Sequence, residues 1–179
     1  MNKRLNVVPY DAGLQKLASS FHSGNDFLDR FLKGSLALDA NIGKTFVFLS
    51  EDDKTIIGYY NLGLGYIEQN DFGIRKKAGG AVHINSFALD EKYHGLLQAN
   101  TEDGMKINLS DILLDNCMEK IEEIREKYAG FTFVTLCSTQ QGYSLYSRNG
   151  FDNLEEDMSF AIEDSDIECI PMYLPMDIQ

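Results

Sequence analysis

The chain has little that would take it out of solution or out of a reducing compartment. Within its 179 residues no apolar run approaches the ~20 residues that cross a bilayer, which excludes a helical membrane span. Behind the basic start Met1-Asn2-Lys3-Arg4-Leu5 no apolar stretch follows, so no secretory signal is expected. Cysteine is scarce. Cys117, Cys137 and Cys169 are odd in number and widely spaced, with neither metal-ligand spacing nor a disulfide framework. They are expected to be buried thiols in a cytoplasmic protein. The three prolines, Pro9, Pro171 and Pro175, lie near the ends, and no repeat, low-complexity tract or linker interrupts the chain. One domain over residues 1–179 is the expectation. Hydrophobic residues at 44% and charged residues at 25% fit a globular protein with a sizeable core.

Basic residues are missing from one region. From Phe151 onward there is no Lys or Arg, while nine acidic residues stand there: Asp152, Glu155, Glu156, Asp157, Glu163, Asp164, Asp166, Glu168 and Asp177. The net charge of −12 is therefore concentrated in the C-terminal part. That disfavours a broad polyanion-binding surface there and suits a cationic partner, although a charged surface more often serves solubility alone.

What is present reads as alternating strands and helices. Ser23-Gly24-Asn25-Asp26 is a turn and helix start, followed at helical spacing by Phe27, Leu28, Phe31, Leu32, Leu36 and Leu38. Residues 45–49 read as a strand, Glu51-Asp52-Asp53-Lys54 as a hairpin turn, and 55–67 as a longer strand. Residues 73–80 read as a basic, glycine-containing loop, and 81–89 as a third strand. Over 108–128, Leu109, Ile112, Leu113, Cys117, Ile121, Ile124 and Tyr128 recur at three- and four-residue steps. Asn108 is the expected N-cap, Asp111 follows three residues on, and Gly130 stops the helix. A strand over 131–137, a short helix over 139–149 and two tail strands over 158–162 and 170–174 complete the pattern. The strand-helix-strand unit from 81 to 137 implies two parallel strands joined by a crossover helix. The expected fold is α+β: a central mixed, mostly antiparallel sheet with a β-α-β crossover, covered by helices on both faces.

After the strand over 131–137 stands Ser144-Leu145-Tyr146-Ser147-Arg148-Asn149-Gly150-Phe151. Leu-Tyr-x-x-x-Gly-Phe in this position resembles the C-terminal signature of the GNAT N-acetyltransferases. The resemblance implies acetyl-CoA (coenzyme A) as cofactor and Tyr146 over its thioester, donating a phenolic proton to the departing thiolate. On these residues alone, Tyr146 is equally a helix aromatic packed on a sheet, with Gly150 as an ordinary C-cap. A second stretch, Phe87-Ala88-Leu89-Asp90-Glu91-Lys92-Tyr93-His94-Gly95, resembles the lead-in to the family's pyrophosphate loop. There backbone N–H groups and a helix N-terminus cradle phosphates. The later glycines are absent, and residues 96–106 read as an insertion that lengthens the loop, of which 96–105 should be mobile without ligand and better ordered with it. The resemblance implies that His94, Gly95, Lys106, Asn108, Leu109 and Ser110 meet the phosphates. It implies that the backbone of Phe87, Ala88 and Leu89 holds the pantetheine arm, one N–H there polarising the acetyl carbonyl.

Phe21-His22-Ser23-Gly24-Asn25, Leu28-Asp29-Arg30-Phe31-Leu32, Thr45-Phe46-Val47 and Met172-Tyr173-Leu174-Pro175-Met176 resemble one GNAT branch in particular. It includes toxins that acetylate aminoacyl-tRNA and are paired with small DNA-binding antitoxins. For a general base, Glu68 and His83 are the nearest candidates, and neither has a partner legible in the sequence. The expected function is transfer of an acetyl group from acetyl-CoA to a primary amine on a small molecule or peptide, by direct attack with Tyr146 as general acid and without a metal. Two alternatives stay open: a toxin-type enzyme acting on aminoacyl-tRNA, and a GNAT-like domain that has lost catalysis and serves as a binding module. The expected partners are the amine and, on the toxin reading, an antitoxin-like protein. A homodimer is left open, no membrane is expected, and charge disfavours nucleic acid other than aminoacyl-tRNA.

Overall fold

Two consecutive strands of 16 residues dominate the computed structural model, which describes residues 6–161 and 168–176. These are β3 (Ile56–Asp71) and β4 (Ile74–Leu89), preceded by β1 (Val7–Pro9) and β2 (Lys44–Leu49). Only Phe72 and Gly73 join β3 to β4, both at positive φ, 49° and 85°. Such a two-residue turn matches the twist of a paired hairpin. The basic stretch 73–80, expected as a loop, is therefore drawn into β4. Beyond β4 come β5 (Leu97–Asn100), β6 (Lys106–Asn108), β7 (Phe133–Ser138), β8 (Asp152–Asn153), β9 (Met158–Ser159) and β10 (Ile170–Pro175). The helices are α1 (Asp26–Lys33), α2 (Leu109–Lys127) and α3 (Tyr143–Arg148).

Eight strands form one sheet in the order β1-β2-β3-β4-β7-β10-β8, with β9 beside β3. β4 and β7 are parallel, Ala81–Ile84 facing Phe133–Leu136. The β1–β2, β7–β10, β8–β10 and β3–β9 pairs are antiparallel. The parallel pair and its crossover helix α2 are those expected from the periodicity. β5 and β6 form a separate two-stranded ribbon, so the stretch expected to be a long loop has structure of its own. The second tail strand is found at 170–175, whereas the first reaches only Met158–Ser159; residue 162 lies outside the described residues, as do Glu163, Asp164, Asp166 and Asp177.

The chain divides into two compact units, residues 1–61 with 86–120 and residues 62–85 with 121–179. In the first, Tyr59 stacks on Phe31 (6.1 Å) and meets Phe21 edge-on (5.6 Å), in a core shared with Leu32, Val47 and Leu49. α1 starts where expected: the Asn25 side chain accepts from the N–H groups of Phe27 and Leu28. It ends sooner. Gly34 closes it, and Leu36 and Leu38 fall on a separate 3₁₀ turn, both partly exposed. Gly58 allows the closest approach in this unit, since a Cβ there would stand 2.7 Å from the Leu89 side chain and 2.9 Å from that of Leu113.

In the second unit Val134, Leu136 and Met172 are fully buried along β7 and β10. Here the cysteine reading is corrected. Cys137 and Cys169 form a disulfide, and only Cys117 is a free, buried thiol. The antiparallel register sets Pro171 opposite Cys137, which brings Cys169 to a Cα separation of 5.3 Å. The pairing removes the argument that three free thiols made for a reducing compartment. Among the described residues, no helix is long and apolar enough to cross a membrane.

Candidate functional site

The motif around Tyr146 has a structural cause. β7 turns into α3 within residues 139–142, where the Gly142 N–H donates to Thr139 Oγ1 (3.1 Å) and the Tyr143 N–H to the Thr139 carbonyl (3.1 Å). Gly142 is closely packed: a Cβ there would lie 3.3 Å from the Tyr146 ring. Gly150, at φ +91°, folds the chain back, so that the Phe151 N–H reaches the Tyr146 carbonyl (3.1 Å) and the two rings meet edge-on at 5.9 Å. Tyr146 is buried and its ring is fixed from two sides.

At the end of β4, Phe87 is half-buried and Ala88 and Leu89 are buried. β4 runs on to Leu89, although its ladder with β7 covers only Ala81–Ile84. The Asp90 N–H donates to the Ile57 carbonyl (2.8 Å), and the His94 ring Nε2 lies 3.0 Å from the Leu89 carbonyl. His94 is thus held against the strand end, and Gly95 follows at φ +66°.

The start of α2 departs from a free phosphate cradle. The Asn108 N–H donates to Asp111 Oδ2 (2.9 Å), and the Leu109 N–H to the Leu96 carbonyl (2.9 Å). Asn108 and Lys106 lie on the ribbon, facing Leu97 and Asn100 of β5. Two of the donors implied for phosphate are therefore used by the protein itself, and the Asp111 carboxylate sits where an anion would approach. Lys106 is exposed and Ser110 half-buried. At the strand end the backbone of β4 continues past its β7 ladder. At the start of α2, the groups that suit an anion include the Lys106 and Ser110 side chains.

Both base candidates from the sequence already have partners. Glu68 faces Arg75 at 3.8 Å. His83 Nδ1 lies 2.8 Å from Thr135 Oγ1, and its ring packs on Phe160. Burial pushes its imidazole down to about 4, which leaves a poor proton acceptor. The sequence reading gave no role to His22. Its Nδ1 lies 2.7 Å from Asp29 Oδ2, and Asp29 also accepts from the Ser23 N–H (2.8 Å) and hydroxyl (2.6 Å). The Asp29 bond, then Glu91, holds the His22 imidazole above its ordinary value. Burial pushes Asp29 up, but Ser23, His22 and Lys33 outweigh it and leave its carboxyl below the usual range. A histidine three residues before a helix cap, with an acid one turn into the helix, is the signal that could have found this pair.

These features define a fold, that of the GNAT acyl-CoA N-acyltransferases. No protein-family profile matches the chain, and no curated protein sequence does. The likeness is to solved structures. A bacterial toxin is 17% identical, with a TM-score of 0.67 over 96% of this chain and 91% of its own. AtaTR bound with acetyl-CoA is 15% identical, with a TM-score of 0.70 over 96% and 93%. A GCN5-related N-acetyltransferase from Rhodopseudomonas palustris is 13% identical, with a TM-score of 0.52 over 96% of each chain. Other structures show the toxin AtaT with the antitoxin AtaR, one of them on DNA.

Proposed function

We propose that this chain is, over its whole length, an N-acetyltransferase that moves an acetyl group from acetyl-CoA to a primary amine. The observation that carries this is one piece of architecture: a parallel β4–β7 ladder ending at Ile84 and Leu136, with β4 running on through Phe87–Leu89 and β7 turning tightly into the helix that holds Tyr146. Acetyl-CoA, when bound, supplies the acetyl group as a thioester. The backbone of Phe87, Ala88 and Leu89 binds the pantetheine arm in the manner of an added strand. A backbone N–H near Leu89 steadies the charge that develops on the carbonyl oxygen. Tyr146 Oη gives its proton to the departing sulfur. Its ring, fixed against Phe151 and over Gly142, holds that proton in one place.

Isothermal titration with acetyl-CoA, followed by thiol release in the presence of amines, tests this reading. Micromolar binding with amine-dependent thiol release supports it. No binding heat points to a domain that has kept the fold without the chemistry.

A second reading is favoured by the likeness to AtaT: the acceptor is the α-amino group of an aminoacyl-tRNA, and an antitoxin-like protein is the partner. Such an amine needs little help to lose its proton. Salt-sensitive retention of aminoacyl-tRNA separates this reading from the first.

A further inference from the structure

We propose that His22, aimed by Asp29, is the proton acceptor for the attacking amine. This inference rests on the acetyltransferase reading above. An alkyl ammonium, with a pKa of about 10.4, must lose a proton before its nitrogen can attack. Glu68 and His83 are engaged elsewhere, as described.

The His22 site is built. Asp29 is almost buried, with 8% of its side chain exposed, and Ser23 fixes it through two bonds to Oδ1. Its other oxygen, Oδ2, takes the His22 Nδ1. A carboxylate held in this way assigns the ring proton to Nδ1 and leaves the lone pair of Nε2 pointing away from it. The His22 side chain is 55% exposed, so an acceptor can reach that nitrogen. The backbone also ties His22 to the end of β4. Its N–H donates to Asp90 Oδ2 (3.1 Å), and its carbonyl accepts from the Glu91 N–H (2.8 Å). Asp90 directly follows Leu89, one of the residues proposed to hold the thioester arm. The Ser23 hydroxyl faces Asp29 and not Nε2, so this is a base pair rather than a serine nucleophile relay.

The charged groups around the ring are Asp29 and Lys33 from α1, and Asp90 and Glu91 from the turn after β4. Glu91 Oε2 lies 3.9 Å from Nε2. The carboxylates of Asp29 and Glu91, against the Lys33 ammonium, favour the protonated ring and make Nε2 a better base.

The nitrogen of the ammonium loses two protons in all. His22 Nε2 takes the first, which frees the lone pair, and passes it to water. The lone pair then bonds to the acetyl carbon as the carbon–sulfur bond breaks. The second proton leaves nitrogen for water as the amide forms, and water returns a proton to Tyr146 Oη in place of the one given to sulfur.

The test compares full-length wild type, His22→Gln and Asp29→Asn with acetyl-CoA and two amines: a lysine-containing peptide, and glycine ethyl ester, whose α-amine titrates near about 7.7. His22→Gln should lower kcat/KM for the peptide about 10²-fold at neutral pH and erase the acidic limb of its pH profile. The ester should lose less, and the affinity for acetyl-CoA should not change. Asp29→Asn should move the acidic limb to lower pH, because the bond that raises His22 is gone. If Asp29→Asn does not fold, the exposed His22 position still decides. Nitrogen-15 NMR of the unliganded wild type should find the neutral ring protonated at Nδ1. A His22→Gln profile identical to wild type for both amines, or a neutral ring protonated at Nε2, overturns the inference and leaves the acetyltransferase reading standing. So does acetyl-CoA binding without turnover of either amine. A wild type that does not bind acetyl-CoA takes down both.

Discussion

Two strand-to-helix connections carry the proposed chemistry, and they are built in opposite ways. The one from β7 to α3 spans residues 139–142, and its polar groups close on themselves through Thr139. The one from β4 to α2 spans residues 90–108 and contains a 3₁₀ turn and the β5–β6 ribbon. The short connection fixes one aromatic ring. The long one covers the start of its own helix, with Leu96 and Asp111 taking the N–H groups of Leu109 and Asn108. A short turn preserves a motif because few conformations are open to it. A long one can exchange the backbone groups of a ligand cradle for contacts within the protein.

The sharpest way to test that contrast is Tyr146→Phe. Turnover should fall by ~10²–10⁴-fold with acetyl-CoA affinity unchanged in calorimetry. Wild-type turnover would remove the chemical role of the short connection. Next is Gly142→Ala, whose new Cβ would meet Ser138, Thr139 and the Tyr146 ring all at 3.3 Å. It should cost ~1–2 kcal/mol of stability in thermal unfolding and lower kcat with it. A neutral outcome would mean that the turn is looser than its contacts imply.

The long connection is tested more gently. Asp111→Ala removes the carboxylate that accepts from Asn108 and should cost about 1 kcal/mol. If phosphates use this helix start, the same change tightens acetyl-CoA binding. Equal affinity places the phosphates elsewhere. Smallest of all is an amide exchange effect. The Asn108 and Leu109 amides should already exchange slowly without ligand, and acetyl-CoA should add little. Fast exchange at both would turn the ribbon back into a loop that closes on its cofactor.

The parts of the fold legible in the sequence are those governed by local chemistry. Asn25 caps α1 because its short side chain reaches two N–H groups, and α2 follows from its apolar stripe. Gly150 marks the end of α3 because the chain there needs positive φ. The parts that were not legible depend on long-range pairing or on atypical turn residues. Phe72 occupies a left-handed position that usually takes Asn or Gly, so the β3–β4 turn looked like the edge of a loop. The ribbon strands are three and four residues long and largely exposed, with no apolar alternation to reveal them. The His22–Asp29 bond needs the chain reversal at Gly24, φ +80°, before an acid seven residues away can face the ring. At the candidate site, the sequence could point to Tyr146 and to the β4 end as positions. It could not show that the phosphate donors at Asn108 and Leu109 were already occupied.

The Cys137–Cys169 bond makes the segment between those residues a covalent ring, with α3 and Tyr146 inside it. Linear order no longer decides what stays attached. A protease that cuts anywhere within the ring opens it but releases nothing, because β10 remains joined to β7 through sulfur as well as through its ladder. On a gel the nicked chain should run as one species without reductant and as two with it. The helix that carries the proposed acid would then keep its tether to both flanking strands after a single cut within the ring.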